Sequence, residues 1–310
     1  MVAGNAGGDS GSARRKAQPE AQCWYHSEMT SAPLPSLSVS VVLHHSALPR
    51  LRQTLASLRV ALQEAQEEGV LGASTVWLVD NSEDAAYRDD ARALLTDVFW
   101  GDTAGIATCF VALDENVGFG GGHNRALLDD GSDFHLVLNP DVVLGHRCLT
   151  AGLRYLGRDG GAVAVSPRSS SPGGSREYLC KRYPSVFVLA LRGFAPRWLR
   201  RRFASRLASY EMRDAMHSAT PVDVPLISGC FMLMRGNVVR SVRGFDADYF
   251  MYFEDFDLSL RLRVHGRLMY VPSVEIVHYG GFAAAKGWRH VSWFLRSGRR
   301  FFAQHGWRWI

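Results

Sequence analysis

What most constrains this chain is a unit that recurs through its first half. A short, β-branched apolar run breaks off in polar or glycine residues and is followed by helical periodicity. Residues 37–43 have the composition of a buried strand, and Leu51, Leu55, Leu58 and Leu62 then recur on one face of a helix expected over 48–68. A strand over 75–79 runs into Asp80, Asn81 and Ser82, a helix is expected over 85–99, and a strand over 107–113 leads to Asn116 and the glycines 118, 120, 121 and 122. A further helix and a strand over 134–138 end in Asn139, Pro140 and Asp141. This alternation predicts an α/β fold with a mostly parallel central sheet and helices on both faces. Such sheets bind ligands beyond the carboxyl ends of their strands, at the switch point. Asp80-Asn81, the glycine loop and Asn139–Asp141 all fall there, so a single nucleotide site is expected.

The 310 residues, 47% of them hydrophobic, suffice for one large α/β domain with an elaborated end, or for two small domains. Residues 1–36, rich in Gly, Ser, Ala and Pro, are expected to form a disordered tail, with Met29 a candidate translation start. A main domain is expected over 37–272 and a basic, aromatic helical extension over 273–310. Between them, 166–220 is less regular, with a loop signal at 169–175, and order resumes at 222–234, 245–264 and a strand over 268–272. Five scattered cysteines exclude a disulfide framework or a zinc ribbon and read as reduced thiols of a cytosolic protein. No apolar run is long enough to span a bilayer, and no apolar core follows Arg14, Arg15 and Lys16 as a signal peptide requires. The net charge of +5 is compatible with nucleic acid, an anionic membrane surface or a phosphorylated substrate, and chooses none of them.

Four groups carry candidate chemistry. The loop from Gly118 to Asn124 allows close backbone approach to a ligand, and a helix starting after it attracts phosphate. It is neither a Walker loop nor Gly-x-Gly-x-x-Gly, because no Gly-Lys-Ser/Thr follows and His123 replaces the last glycine; a tight turn is the alternative. Asp141, at the end of an apolar strand, is placed to hold a divalent cation on a diphosphate, or simply to cap a turn. Glu254 and Asp255 follow an aromatic run and open a helix. Acids cap helices, but these two lie among bulky apolar side chains and are candidates for a desolvated general base. Asp257 and Arg261, spaced i, i+4, read as a structural ion pair. His278 suits a metal or phosphate contact or a structural role.

Taken in order, these stretches resemble the family 2 glycosyltransferases of the GT-A fold, in particular the bacterial rhamnosyltransferase-like members. The matching segments are 76–82, 116–125, 138–141, 228–235, 244–261 and 278–281, spread over about residues 38–300. The resemblance implies that Asp80 and Asn81 contact the donor nucleotide and that Asn116, Gly118, Gly120, Gly121, Asn124 and Asn139 line the donor site. It implies Asp141 and His278 as contacts of a divalent metal, Mg²⁺ or Mn²⁺, and Asp255, with Glu254 beside it, as the base of an inverting transfer. Two positions depart from the family pattern. His44-His45-Ser46 replaces a Thr-Tyr-Asn-like turn, and Asn139 replaces the first acid of Asp-x-Asp, a neutral ligand that weakens metal binding. The implied partners are a nucleotide-sugar donor, with dTDP-L-rhamnose the first choice and a UDP- or GDP-sugar the alternative, and a glycan or lipid-linked glycan acceptor of bacterial cell-surface polysaccharide or lipopolysaccharide synthesis.

A nucleotidyltransferase is the competing enzyme class, but the segment after the first strand lacks the glycine loop and basic pair it needs. A non-catalytic binding module is disfavoured because Asp141, Glu254 and Asp255 are all present. Two basic, aromatic segments remain, one at 191–210 with six arginines and one at 286–310 with four tryptophans. They are expected either to lie on an anionic membrane surface, at the cytoplasmic face of the inner membrane, or to pack on the main domain. No nucleic acid is expected as a partner.

Overall fold

The structure, a computed structural model, describes residues 33–99, 105–280 and 287–310. The expected tail, with Cys23 and Met29, lies outside them except for its last four residues. Of these, Ser36 exchanges hydrogen bonds with Asp133 at 2.8–3.0 Å.

The first half alternates as its hydrophobic pattern dictates: β1 (Leu37–Leu43), α1 (Leu48–Glu67), β2 (Ser74–Asp80), α2 (Ala85–Val98), β3 (Ile106–Ala112), α3 (Gly118–Leu127) and β4 (Phe134–Leu138). Then come β5 (Val142–Leu144), α4 (Cys148–Arg158), β6 (Ala162–Ser170) and β7 (Arg176–Glu177). Four helices follow, α5 (Val186–Gly193), α6 (Arg197–Arg202), α7 (Ala204–Tyr210) and α8 (Arg213–Met216). The chain closes with β8 (Val222–Asp223), β9 (Phe231–Arg235), α9 (Gly236–Ser241), α10 (Glu254–Arg263), β10 (Arg267–His278) and α11 (Gly287–His305).

The strands form one sheet in the order β3-β2-β1-β4-β9-β6-β10-β5, with β7 on β6 and β8 on β10. β3, β2, β1 and β4 are parallel, β9 runs antiparallel between β4 and β6, and β10 is parallel to β6. The carboxyl ends of β1, β2, β4 and β10 and the start of β9 therefore share one edge. Strand alternation builds a core on each face. Leu37, Val39, Val41, Leu136, Phe231 and Leu233 point to one side, with α1, α2 and α4; Val137, Met232 and Met234 point to the other, with α9 and α10.

Three local expectations are corrected. Ser169 and Ser170 belong to β6, and the loop is the hairpin turn that pairs Ser170 with Arg176. The strand expected over 268–272 continues to His278, because a bulge between Val271 and Glu275 absorbs Pro272, so residue 272 marks no break. The less regular middle holds four short helices. Cys109, Cys148, Cys180 and Cys230 are free thiols, and the Asp257–Arg261 pair forms at 2.6 Å.

β1 also carries a buried polar junction. Ser40 Oγ lies 2.7 Å from His123 Nδ1 and 2.9 Å from His135 Nε2. Burial drives His135 down to about 3 and His123 well below the usual imidazole range, where the neighbouring His135 adds to the effect. Both rings stay neutral in the fold, whereas the unfolded chain takes up protons near pH ~6.5. Stability is therefore lost as pH falls below that value. Urea denaturation should show it declining from pH 7 to 5, with a shallower decline in His135→Gln; equal slopes for the two proteins would contradict neutral burial.

Candidate active site

The residues expected to bind a donor fall along the shared sheet edge, and hydrogen bonds tie them together. Asn81, at the end of β2, is buried; its Nδ2 donates to Asn116 Oδ1 at 2.8 Å and to the Gly118 carbonyl at 3.1 Å, and its Oδ1 accepts from Val117 N–H. Asn116 Oδ1 also accepts from Gly118 N–H. His44, in the turn that departs from the family pattern, joins this clasp through the Asn81 carbonyl at 3.0 Å and Asn116 at 3.4 Å. Asp80 is fully buried; its oxygens accept from Ser82 N–H and from the Arg88 guanidinium at 2.9 Å, so a nucleobase reaching it must share it with Arg88.

The glycines do different work from that expected. α3 starts at Gly118 itself, so only that residue sits at positive φ (+79°), and a Cβ there would lie 2.2 Å from the Phe250 carbonyl oxygen. Gly120 and Gly122 let the helix pack on Phe245 and Val42, and Gly121 closes on Val117. The N–H groups of Val117, Gly118 and Phe119 donate to Asn81, Asn116 and the Phe250 carbonyl. The helix start therefore presses against the chain leading to Glu254 and does not offer those donors to phosphate. Asn124 is occupied likewise, exchanging two hydrogen bonds with the Phe245 backbone at 2.8 and 2.9 Å.

A second group lies where β4 meets β10. Asn139 N–H donates to the Cys230 carbonyl, Thr54 fixes the Pro140 carbonyl, and Tyr279 N–H donates to the Asp141 carbonyl. Asp141 Oδ1 is buried without a hydrogen-bond partner and lies 3.7 Å from His278 Nε2. His278 Nδ1 bonds Glu177 Oε2 at 3.0 Å, and Ser169 Oγ donates to the same oxygen. Burial lowers the His278 pKa, but Glu177 and Asp141 overcome it and the net shift is upward. Among the described residues no group of three or more His, Cys, Asp or Glu side chains is placed to hold a metal. The orphaned Asp141 oxygen and a histidine oriented by Glu177 fit a hard divalent cation that takes its other ligands from a diphosphate and water. Glu177 was missed in the sequence because it stands alone after the serine-rich turn, with no pattern around it.

The third group is the carboxylate pair. Glu254 is buried, and its Oε2 has no hydrogen-bond partner. Asp255 is half-buried; Oδ2 accepts from Gly229 N–H and Oδ1 from Phe256 N–H, both at 2.9 Å. Burial pushes Asp255 up to about 6, against those hydrogen bonds, and raises Glu254 well above the carboxylate range, with the charge of Asp255 adding to it. The residues before the pair, Tyr252 (φ 71°) and Phe253 (φ 67°), are both left-handed, a strained arrangement for bulky side chains. α11 clamps them: Tyr252 OH meets His290 Nδ1 at 2.9 Å, and Phe253 packs on Phe294 and Phe301 at 5.1 and 5.3 Å. In the sequence, residues 250–253 were visible as an aromatic run and Gly229 within the matching segment 228–235, but the contact between Gly229 and Asp255 was not; a Cβ at Gly229 would also meet Phe119 at 2.9 Å.

The model of the glycosyltransferase-like family 2 matches residues 58–292. The chain belongs to that family. A relative, the N-acetylglucosaminyl-diphospho-decaprenol L-rhamnosyltransferase of Mycobacterium tuberculosis, is 32% identical over 177 residues, which cover 53% of this chain and 56% of that protein. The rhamnosyltransferase WbbL of Escherichia coli is 30% identical over 178 residues, covering 56% of this chain and 62% of that protein. The matched stretches thus span little more than half the length of either relative. Among solved structures, a mannosyltransferase of Pyrobaculum calidifontis in complex with GDP-Man and Mn²⁺ superimposes with a TM-score of 0.56 at 17% identity, covering 89% of this chain and 68% of that one. GalNAc-T7 with UDP, GalNAc and Mn²⁺ gives 0.56 at 13% identity, covering 79% and 43%. The fold of this family 2 member is of the GT-A type.

The raised pKa of Glu254 has a consequence for stability. The folded chain keeps a proton that the unfolded chain releases above pH ~4.5, so this side chain costs stability as pH rises. Glu254→Gln should gain stability over the parent chain at pH 8 and lose most of that gain at pH 4.5, read by chemical denaturation. A pH-independent difference would show a carboxyl that ionises freely in the fold.

Proposed function

We propose that the chain is an inverting glycosyltransferase that moves L-rhamnose from dTDP-L-rhamnose to a hydroxyl of a glycan carried on a lipid diphosphate, in bacterial cell-surface polysaccharide synthesis. The observation that carries the reading is Asp255: a half-buried carboxylate with its pKa raised to about 6, on the same edge as the Asn81–Asn116 clasp and Asp141. A base of that pKa is ionised near neutrality and holds a proton well enough to take one from a hydroxyl. Family membership supports the transfer, the names of both relatives support rhamnose, and the name of the Mycobacterium tuberculosis relative supports a diphosphate-linked lipid acceptor.

In this mechanism the acceptor oxygen attacks the anomeric carbon from the side opposite the leaving group. The bond from that carbon to the donor diphosphate breaks, and the electron pair leaves with the nucleoside diphosphate. The hydroxyl proton passes to Asp255, which Gly229 and Phe256 N–H hold in place. Glu254 stays neutral beside it, so the developing charge is not met by a second anion. Asn81, Asn116 and Asp80 present the nucleotide end. Asp141 and His278 would hold a divalent cation, Mg²⁺ or Mn²⁺, which when bound neutralises charge on the diphosphate. Among the described residues no helix is long and apolar enough to cross a membrane. A lipid-linked acceptor places the working protein at the cytoplasmic surface of the inner membrane. Phe301 and Phe302 are buried against the turn, so they are not free for a bilayer, whereas Phe194, Trp198, Trp288, Trp307 and Trp309 are exposed.

A donor screen reading released nucleoside diphosphate should select dTDP-L-rhamnose. Asp255→Asn should retain donor binding and lose about 10²-fold or more in turnover, and a variant with near-normal turnover would remove Asp255 from the mechanism. Excess chelator should abolish activity, with recovery on adding Mn²⁺ or Mg²⁺, and Asp141→Ala should weaken nucleoside diphosphate binding; full activity in chelator would exclude a metal role.

A further inference from the structure

α5–α8, Tyr252 and the first turns of α11 line an open cavity of about 890 Å³. Five arginines line one wall, Arg192, Arg197, Arg200, Arg201 and Arg213, against a single acid, Glu211. That acid is already taken, by Arg213 at 2.6 Å and Arg192 at 3.7 Å. Among the described residues no acidic side chain pairs with Arg197, Arg200 or Arg201, although they crowd one six-residue helix at i, i+3 and i, i+4 spacing, where like charges repel. Guanidinium forks match phosphoryl oxygens in geometry and charge.

Tyr252 and Phe294 give the cavity an aromatic part, and exposed large apolar side chains lie on it and near its lining residues in the chain. Phe194, on the lining, is 62% exposed; Trp198, next to Arg197 in the chain, is 69% exposed, and Trp288, two residues before the lining residue His290, is 80% exposed. Exposed aromatics around a cationic pocket fit an anion that carries an apolar chain, which a nucleotide or a free glycan does not. The cavity reaches the turn that delivers the base: Tyr252, on its lining, stands two residues before Glu254 in the chain.

We infer that this arginine cavity is the acceptor site for the phosphoryl group joining the glycan to its lipid, the diphosphate lying on Arg197, Arg200 and Arg201 and the chain leaving over Phe194, Trp198 and Trp288. The inference rests on the lipid-linked acceptor proposed above. It orients the substrate: the sugar next to the diphosphate reaches Asp255, and the lipid is led outward across the aromatic rim.

Binding of farnesyl diphosphate, farnesol and inorganic pyrophosphate, measured by isothermal titration, tests it. Farnesyl diphosphate should bind more tightly than either of the others. The exposed triple variant Arg197→Gln/Arg200→Gln/Arg201→Gln should keep the parent melting temperature and nucleoside diphosphate affinity and lose at least ~10-fold in farnesyl diphosphate affinity. Asp141→Ala, at the donor end, should leave that affinity unchanged. Equal binding of farnesyl diphosphate by parent and triple variant would overturn the site, as would pyrophosphate binding as tightly as farnesyl diphosphate. So would a triple variant that loses only its attachment to phosphatidylglycerol vesicles, which would assign the arginines to the bilayer. None of these outcomes touches the transfer chemistry, whose own failure is read separately as donor turnover retained by Asp255→Asn.

Discussion

The arrangement of the site depends on one strained turn. Tyr252 and Phe253 both adopt positive φ, at a cost of about 1–3 kcal/mol each, and the turn they make delivers Glu254 and Asp255 to the start of α10. Aromatic packing from the C-terminal helix holds it: Trp293 on Phe250 at 4.8 Å, Phe294 and Phe301 on Phe253, and Ser297 Oγ donating to the Met251 carbonyl at 2.8 Å. Gly298 is part of the same fit, since a Cβ there would lie 3.2 Å from the Phe253 ring. From the opposite side the start of α3 hydrogen-bonds Phe250, and Gly118 leaves room for that carbonyl. The glycine segment and the carboxylate pair are thus braced on a single stretch, 250–253.

The sequence was most informative where hydrophobic period and chain geometry coincide. β1 and β4 are bounded as the apolar runs predict; each admits polar residues in its interior, where Ser40 and His135 satisfy one another, and ends where the chain turns polar. Glu254, Asp255, Asp141 and His278 were visible as acids and a histidine at element ends. What they share was less visible. Glu177 reaches His278 only because β7 folds back on β6, and the role of Asn124 lies in a contact with Phe245, 121 residues away. The glycines were read for backbone freedom, yet three of the four serve packing, since close approach to Phe245, Val117 and Val42 leaves the same trace in sequence as a phosphate cradle. Likewise α11 looks like a detachable basic tail in composition, while Phe301 and Phe302 are core residues.

Electrostatics divides the edge into regions with different tasks. Around Asp141 and His278 a buried, unpartnered oxygen favours a cation. At Glu254 and Asp255 two acids are held close in a poorly solvated place, so one stays protonated and the other is poised near neutrality. In the arginine cavity, Arg197, Arg200 and Arg201, which pair with no acid among the described residues, favour an anion. In the proposed transfer, a donor diphosphate, a reacting hydroxyl and an acceptor phosphoryl group would each find the charge they need in one of these three regions.

The central claim is that the braced turn holds Asp255 as a base with an elevated pKa, and the pH dependence of kcat/KM for donor and acceptor tests it most directly. The account predicts that activity is lost on acidification through an inflection near pH 6, and that this inflection is absent from the residual activity of Asp255→Asn. An inflection in the ordinary aspartate range, near pH ~4, or the same profile in the variant, would contradict it.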